Sequence, residues 1–251
     1  MTRNADVSEP QSTTSGWVSL FSGGKDSTYA LYRGRKRGLN IKRLVTVLPE
    51  GESYLYQRPT PAVPAKAAES IGIEHETVAL PTPDGDPGVA DRGDFEIKPL
   101  EKAIARIAGE TPISGVIAGA IESTYQRDRI AGVCDRLGLE LYAPLWDEST
   151  EAIAEGLLEA GFAITIVEVA AGGLDRSWLG RQLDRAAFEE LQTLAERHGV
   201  HPLGEGGEFE TVVTDGPHMQ QPLELEYNTV WDGLRGRLEI TDVRLSRRRG
   251  R

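Results

Sequence analysis

The sequence predicts an α/β fold, namely a doubly wound, mostly parallel sheet that is followed by a smaller C-terminal α+β domain. Apolar strands alternate with helices as far as residue 142, and this alternation is typical of parallel sheets. Beyond residue 144, short β-like runs are separated by Gly and Pro turns. That change of pattern indicates a second domain with a different architecture.

Each element of the predicted parallel sheet follows from the spacing of apolar residues. We expect strands at 17–21, 41–48, 74–80 and 113–120, and helices at 26–38, at 61–72 and around the stripe Ile97, Leu100, Ile104 and Ile107. Strand 113–120 is almost continuously apolar, as expected for a strand that is buried on both faces. Residues 81–94 are rich in Pro, Gly and Asp and are predicted to form a surface loop.

The second part of the chain predicts two helices and several short strands. A helix that carries Ile153 and Leu157 precedes a strand at 162–169, and another helix ends at His198-Gly199. Short strands are expected from there to Leu245. We therefore predict four regions: a disordered leader at 1–16, a first domain at 17–143, a second domain at 144–245 and a basic tail at 246–251.

The turn after the first strand has the character of a phosphate-binding loop. Its residues are Ser22, Gly23, Gly24, Lys25, Asp26 and Ser27. Glycine lets backbone N–H groups approach an anion, the helix N-terminus adds partial positive charge, and Lys25 adds a full charge. The Walker pattern does not fit, because its first glycine is missing. The alternatives are a tight turn without a ligand and, for Asp26, helix capping in place of metal binding.

The segment Gly119–Arg129 also carries charge at a position where a ligand is expected. It follows a buried strand, so it should open onto the same sheet edge as the glycine-rich turn. Arg127 and Arg129 keep their charge at any working pH and can complement phosphate. The alternative is a solvated helix start with i,i+4 pairs.

A third segment places Glu205, Glu208 and Glu210 around the turn Gly206-Gly207. Because like charges repel, this crowding favours a cation among the carboxylates. That cation is either Mg²⁺ or an organic ammonium group. In an acidic protein, an exposed hairpin is the alternative.

The composition limits the class of protein. The formal net charge is −11, and only six of the 28 basic residues are lysines, which suggests a halophilic, archaeal origin. An acidic surface argues against nucleic acid as a partner, since phosphate binding recruits basic surfaces. No apolar run approaches the ~20 residues of a membrane span, and residues 1–16 lack the apolar core of a signal peptide. We therefore expect a cytoplasmic protein without a membrane partner.

Cys134 is the single cysteine, which excludes an intramolecular disulfide and a two-cysteine metal or redox site. It lies on an apolar stripe with Ile130, Val133 and Leu137, and this position favours a buried structural thiol over a nucleophile. Because no cysteine glutaminase is evident, free ammonia is the expected donor if the enzyme consumes nitrogen.

Several motifs together resemble the diphthine–ammonia ligase (diphthamide synthetase) family, which belongs to the PP-loop ATPase superfamily. The likeness spans about residues 17 to 240, and Phe209 stands where the family pattern has Tyr. It is carried by the segments Ser22–Ser27, Gly119–Arg129, Ala143–Trp146, Gly173–Arg181 and His201–Thr211.

This resemblance implies a PP-loop ATP-binding domain at 17–143 and a substrate-binding domain at 144–245. It implies an ATP-dependent ligase that amidates diphthine to diphthamide on translation elongation factor 2 with ammonia. The reaction would run through an acyl-adenylate and release AMP and pyrophosphate.

The resemblance also implies a set of site residues, with ATP and Mg²⁺ as cofactors. The catalytic residues would be Lys25, Asp26, Arg127 and Arg129, with Asp26 also the metal ligand. ATP would contact Ser22, Gly23, Gly24, Lys25 and Ser27, and also Val47 at the adenine-lining end of the second strand. Diphthine carries a trimethylammonium group, which carboxylates and aromatic faces hold. Its contacts would be Tyr125, Trp178, Glu205, Gly206, Gly207, Glu208 and Glu210.

Two other functions fit part of the sequence. A PP-loop enzyme that modifies tRNA would use the same loop, but the single cysteine and the acidic surface argue against it. A nucleotide-binding module without turnover would also use the loop. These alternatives differ from the ligase in whether AMP forms and in which substrate triggers its formation.

Overall fold

The computed structural model describes residues 15–50, 62–82 and 88–247, with the backbone alone for residues 88–93. In the described part of the first domain, the strands are β1 (Gly16–Leu20), β2 (Ile41–Pro49), β3 (Glu74–Leu80), β4 (Ile113–Ile117) and β5 (Glu140–Tyr142). The helices are α1 (Lys25–Lys36), α2 (Ala62–Ile71), α3 (Gly88–Glu110) and α4 (Thr124–Leu137).

These five strands form one parallel sheet in the order β3-β2-β1-β4-β5, which confirms the predicted doubly wound sheet. Leu31 of α1 and Ala67 of α2 lie in one core cluster, whereas Ile104 of α3 and Val133 of α4 lie in another. Helices therefore cover both faces. The strand order reverses between β1 and β4, where sheets of this kind bind ligands at the carboxyl ends of their strands.

The second domain is α+β, as predicted. Its elements are α5 (Thr150–Ala160), β6 (Ala163–Val169), a single 3-10 turn (Arg176–Trp178), α6 (Arg185–His198), β7 (Phe209–Asp215), β8 (Leu223–Trp231) and β9 (Gly236–Leu245). The strands form an antiparallel sheet in the order β7-β6-β9-β8. None of the helices in the described ranges has the length and apolar character that crossing a membrane requires.

The two domains share one apolar core. The rings of Tyr29 and Tyr32 in α1 pack edge-on against Phe162, with ring centres 5.9 and 5.5 Å apart. Ile166 of β6 belongs to the same buried cluster as Leu31 of α1. This packing fixes the second domain against the helix that begins at the glycine-rich turn.

Two expected element boundaries are wrong. Residues 88–94 of the expected surface loop belong to the first turns of α3. The Pro-rich part of that segment ends at Pro87 and residues 88–98 contain no proline, so the first turns of α3 can form ahead of Pro99. The expected strand at 113–120 ends at Ile117, because the chain then turns at Gly119 against α1.

Some expected regions fall partly outside the described residues. Residues 1–14 of the expected leader, residues 83–87 of the expected loop and residues 248–251 of the expected tail lie outside them. Gly16, which was expected in the leader, begins strand β1.

Candidate active site

The turn between β1 and α1 is shaped for the close approach of an anion. Gly23 has a φ of 81°, a conformation that favours glycine. The Ser22 N–H donates to Ser27 Oγ at 3.1 Å, and the Gly24 N–H donates to Ser22 Oγ at 3.3 Å. The two serines therefore hold this phosphate loop, residues 22–27, by binding its own backbone.

Helix α1 begins without a side-chain cap from its own N-cap residue. Its N-cap residue is Gly24, which supplies no acceptor, whereas Ser123, Ser149 and Asp184 cap α4, α5 and α6 with side-chain oxygens. The first N–H groups of a helix have no intrahelical acceptor. The start of α1 is therefore suited to a phosphate group.

The segment after β4 lies directly against this helix start. An added Cβ on Gly119 would lie 2.7 to 2.8 Å from backbone atoms of Asp26 and Ser27. Backbone atoms cannot move aside as the end of a flexible side chain can, so this approach requires glycine. The segments after β1 and β4 therefore meet at one sheet edge, as predicted.

Strand β7 of the second domain also contacts the phosphate loop. The Val213 N–H donates to the Gly23 carbonyl at 2.9 Å, and the Lys25 N–H donates to Thr211 Oγ1 at 3.2 Å. Because β7 is an edge strand of its sheet, the loop covers an edge that would otherwise be open. The phosphate loop and residues 201–211, which we call the acidic segment, thus belong to one site.

Lys25 is the cation at the centre of this site. Its side chain is only 5% exposed, and Nζ pairs with Asp26 Oδ2 at 2.8 Å. Burial alone would lower the pKa of Lys25, but the negative groups around it raise the pKa by more. These groups are Asp26 above all, and Glu205 and Glu210 in their ionised form. The buried positive charge of Lys25 therefore interacts with carboxyl groups of both domains.

Glu205 and Glu210 are carboxyl groups that retain protons near neutral pH. Burial raises the pKa of Glu205 to about 7, and the charge of Asp26 adds to this shift while Lys25 opposes it. Burial also raises the pKa of Glu210 to about 8, again against the opposing charge of Lys25. Carboxyl groups whose pKa values are perturbed by burial and by a specific charged partner are typical of functional sites.

Comparison with known proteins identifies relatives of both domains. A family model described as "Diphthamide synthase N-terminal domain" matches residues 16–141, and one described as "Diphthamide synthase C-terminal domain" matches residues 149–245. The diphthine–ammonia ligase of Bos taurus is 30% identical over 231 residues, which cover 85% of this chain and 84% of that protein. The chain belongs to the diphthamide synthase family.

Some members of the diphthamide synthase family are much longer than this chain. The diphthine–ammonia ligase of Schizosaccharomyces pombe is 32% identical over 220 residues, which cover 83% of this chain but 36% of that protein. A solved structure described as a predicted subunit of tRNA methyltransferase from Methanocaldococcus jannaschii has a TM-score of 0.41 at 19% identity. It covers 80% of this chain and 99% of its own, and a likeness of this size supports no conclusion on function.

The side chain of Glu208 fixes the shape of the acidic segment by binding its backbone. Glu208 Oε1 accepts the His201 N–H at 3.0 Å, and Oε2 accepts the Gly206 N–H at 2.9 Å. His201 Nδ1 accepts two N–H groups of the same segment, at 3.2 and 3.5 Å. A neutral ring then carries its proton on Nε2, which lies 3.5 Å from Glu122 Oε1. His201 therefore joins the acidic segment to the segment after β4.

The two arginines predicted to meet phosphate lie on the first turns of α4 and stack on aromatic rings. Arg127 Cζ lies 4.5 Å from the ring centre of Trp146, and Arg129 Cζ lies 3.7 Å from that of Tyr125. A guanidinium that lies flat on a ring still has donors at its edge for an anion. The Tyr125 face that Arg129 covers is closed to a second cation.

Other predicted site residues lie in the core or at a turn. Trp178 is 2% exposed and Arg181 stacks on its ring at 4.2 Å, so the structure does not present this ring to a substrate. Val47 is buried near the end of β2, in the core cluster beneath α3 and α4, and its contact with adenine stays a prediction. Gly206 and Gly207 form the exposed turn of the acidic segment.

Asp26 fits Mg²⁺ as a single protein carboxylate. Its Oδ1 is buried and has no hydrogen-bond partner among the described residues, and a carboxylate oxygen in that state attracts a cation. The described ranges contain no group of three or more His, Cys, Asp or Glu residues that would hold a metal by themselves. This arrangement fits an ion that is bound mainly by substrate phosphates and water.

Sequence reasoning missed the roles of Gly119, Glu122, His201 and Thr211. All four lie inside the motifs that carry the family resemblance, which was the available signal. Their contacts join segments that are far apart in sequence. The spacing of residues along the chain therefore gave no way to assign these roles.

Proposed function

We propose that this chain is an ATP-dependent diphthine–ammonia ligase, which amidates diphthine to diphthamide on translation elongation factor 2 with ammonia. The reaction runs through an acyl-adenylate and releases AMP and pyrophosphate. The observation that carries the proposal is the contact of the phosphate loop with β7, which brings Lys25 together with Glu205 and Glu210. Membership of a family whose relatives are named diphthine–ammonia ligase supports the choice of substrate.

The phosphate loop supplies the nucleotide half of the reaction. The N–H groups of Ser22, Gly24 and Lys25 already donate to side-chain oxygens of the protein, so those of Gly23, Asp26 and Ser27, at the start of α1, hold the phosphates of ATP. The diphthine carboxylate and ATP repel each other as anions, so Lys25 is needed to reduce that repulsion. A carboxylate oxygen then attacks the α-phosphorus, the bond from phosphorus to the bridging oxygen breaks, and pyrophosphate leaves. Arg127 and Arg129, at the same sheet edge, compensate the charge of the leaving group.

The acidic segment supplies the second half of the reaction, in which ammonia attacks the acyl-adenylate. An ammonium ion must lose a proton before its nitrogen attacks the acyl carbon and expels AMP. A base is most effective when its pKa lies near the working pH, as those of Glu205 and Glu210 do. The trimethylammonium group of diphthine favours the ionised form of Glu205 and Glu210 by its positive charge, and these two carboxylates then hold it. Glu208 acts by shaping the segment, because both its oxygens already accept backbone N–H groups.

Mg²⁺ and free ammonia complete the proposed reactants. Mg²⁺ at Asp26 would supply Lewis-acid stabilisation of phosphate charge. Cys134 is 1% exposed, and burial raises the pKa of its thiol to about 11, so it offers no thiolate for a glutaminase reaction. The proposal assigns ATP binding to residues 17–143 and substrate binding to residues 144–245, and it places the reaction in the cytoplasm, where the elongation factor works.

The experiment is to incubate the chain with ATP labelled at the α-phosphate, Mg²⁺, ammonium and elongation factor that carries diphthine. We expect AMP to form in proportion to the diphthine supplied. The matched control is elongation factor with the unmodified histidine, which has no carboxylate to adenylate and should give no AMP.

The same assay separates the other two functions. AMP that forms with tRNA, and does not form with diphthine, would identify a tRNA-modifying enzyme. Nucleotide binding without AMP under any of these conditions would identify a binding module. Either result would refute the ligase.

A further inference from the structure

One hydroxyl group joins the phosphate loop to the acidic strand. Thr211 Oγ1 accepts the Lys25 N–H at 3.2 Å, across 186 positions of sequence. Lys25 is the first residue of α1, and Thr211 follows Glu210 in β7. A single side-chain hydrogen bond therefore connects the start of the nucleotide-binding helix to the strand that carries an active-site carboxyl group.

The position of this hydroxyl is fixed from two sides. Within the second sheet, Thr211 pairs with Ile166 of β6. Toward the phosphate loop, the Val213 N–H donates to the Gly23 carbonyl at 2.9 Å. An added Cβ on Gly24 would lie 3.3 Å from the Thr211 carbonyl oxygen. The register of β7 in its sheet thus sets where the loop lies.

The hydroxyl and the main-chain contacts have separable effects. The Val213 bond uses backbone atoms only, so it survives a side-chain substitution at position 211. Removing the Thr211 hydroxyl would leave the Lys25 N–H without its acceptor, and an unpaired donor is unfavourable. The loop would then stay attached to β7, but the start of α1 would lose its lateral alignment with Glu210.

We propose that Thr211 is a positioning residue for the adenylation step, which holds the first turn of α1 in register with the acidic strand. Its hydroxyl thereby aligns the α-phosphorus of ATP with the carboxylate that is to be activated. This inference rests on the proposed function. The N–H groups of Gly23, Asp26 and Ser27, which do not donate to Thr211, hold the phosphates, so Thr211 affects the rate of turnover and not the affinity for ATP.

Three variants test this role. Thr211→Val removes the hydroxyl and keeps the shape of the side chain, whereas Thr211→Ser keeps the hydroxyl. Thr214→Val is the matched control, because Thr214 lies on the same strand and donates to the Ala163 carbonyl at 3.2 Å, within the second domain. Thr211→Ala serves as a second hydroxyl-free variant if the Val variant does not fold.

For Thr211→Val we expect kcat for diphthine-dependent AMP formation to fall about 5- to 10-fold, the range of one neutral hydrogen bond. The Kd for ATP with Mg²⁺ should stay within about two-fold of the wild-type value. The Ser variant and the Thr214 control should keep both quantities near wild type. An unchanged kcat, or a fall in ATP affinity as large as the fall in kcat, would overturn the proposal.

Amide hydrogen exchange at Lys25, measured by NMR on the full chain without ATP, reports the contact independently of activity. We expect exchange about five-fold faster in Thr211→Val than in wild type or Thr211→Ser. If wild type forms no AMP with diphthine-bearing elongation factor, the proposed function fails. The exchange rates of the Lys25 amide then still decide whether Thr211 holds the phosphate loop in register with β7. Equal exchange in all variants refutes the contact itself.

Discussion

Glu210 is predicted to make the stability of this protein depend on pH, and replacing it with Gln should remove its share of that dependence. Burial raises the pKa of Glu210 from an ordinary 4.5 to about 8. Between these values, the folded protein binds a proton that the unfolded chain has already released. The contribution of Glu210 to stability therefore falls as the pH rises from about 4.5 to about 8.

The size of the effect follows from the two pKa values. At about 1.4 kcal/mol per pKa unit, wild type should lose up to about 4 kcal/mol through Glu210 between pH 5 and pH 9. Water at the rim of the site reduces this figure, and we expect about half of it, or about 2 kcal/mol. For a chain of this length, that corresponds to about 4 to 8 °C in Tm. Glu210→Gln should thus match wild type near pH 5 and exceed its Tm by this amount at pH 9.

Differential scanning fluorimetry from pH 5 to pH 9 measures this difference. The pH dependence that comes from the other titratable groups is common to both proteins, so it cancels when their Tm values are subtracted. Glu196→Gln is the control, because Glu196 is exposed on α6 and its replacement makes the same chemical change outside the candidate site. A Glu210→Gln difference that is the same at pH 5 and pH 9 would refute the assignment of a protonated, half-buried carboxyl group.

Four further predictions concern other parts of the site. Lys25→Met should lower diphthine-dependent pyrophosphate release at least about 100-fold with an unchanged circular dichroism spectrum, whereas Lys66→Met, an exposed lysine on α2, should keep wild-type release. Gly119→Ala places a Cβ 2.7 to 2.8 Å from the backbone of α1 and should lower the free energy of unfolding in urea by about 1–3 kcal/mol. His201→Ala should raise KM for the elongation factor about 10-fold, and His201→Asn, which keeps an acceptor, should raise it less. Cys134→Ala should keep ammonium-dependent AMP formation within about two-fold of wild type, since a buried thiol has only a packing role.

Patterns that extend over a few residues predicted most of the fold. The continuous apolar run in β4 predicts a strand buried on both faces, and Val116 and Ile117 are fully buried there. The stripe that contains Cys134 predicts a buried thiol, and Cys134 is 1% exposed. These predictions succeed because burial of a strand or a helix face is encoded by the local spacing of apolar residues.

The predictions failed where a boundary depends on tertiary contacts. Gly, Asp and other polar residues continue after Pro87 and suggest a loop, yet α3 begins at Gly88. Helix propensity is a weak preference that the rest of the structure overrides. The strand β4 ends before Ala118 for a related reason, because Gly119 must approach the start of α1 closely.

The acidic segment shows why the site itself could be predicted only in part. In the sequence, its three carboxylates are equivalent, and their crowding predicts a cation that a ligand supplies. In the fold, Glu208 binds the backbone of its own segment, while Glu205 and Glu210 interact with Lys25 of the first domain. Sequence spacing contains no information on that pairing, because it depends on how β7 docks on the phosphate loop. Since Lys25 opposes the rise of both pKa values, any anion that engages Lys25 also acts on the carboxyl groups of the other domain through the same charge.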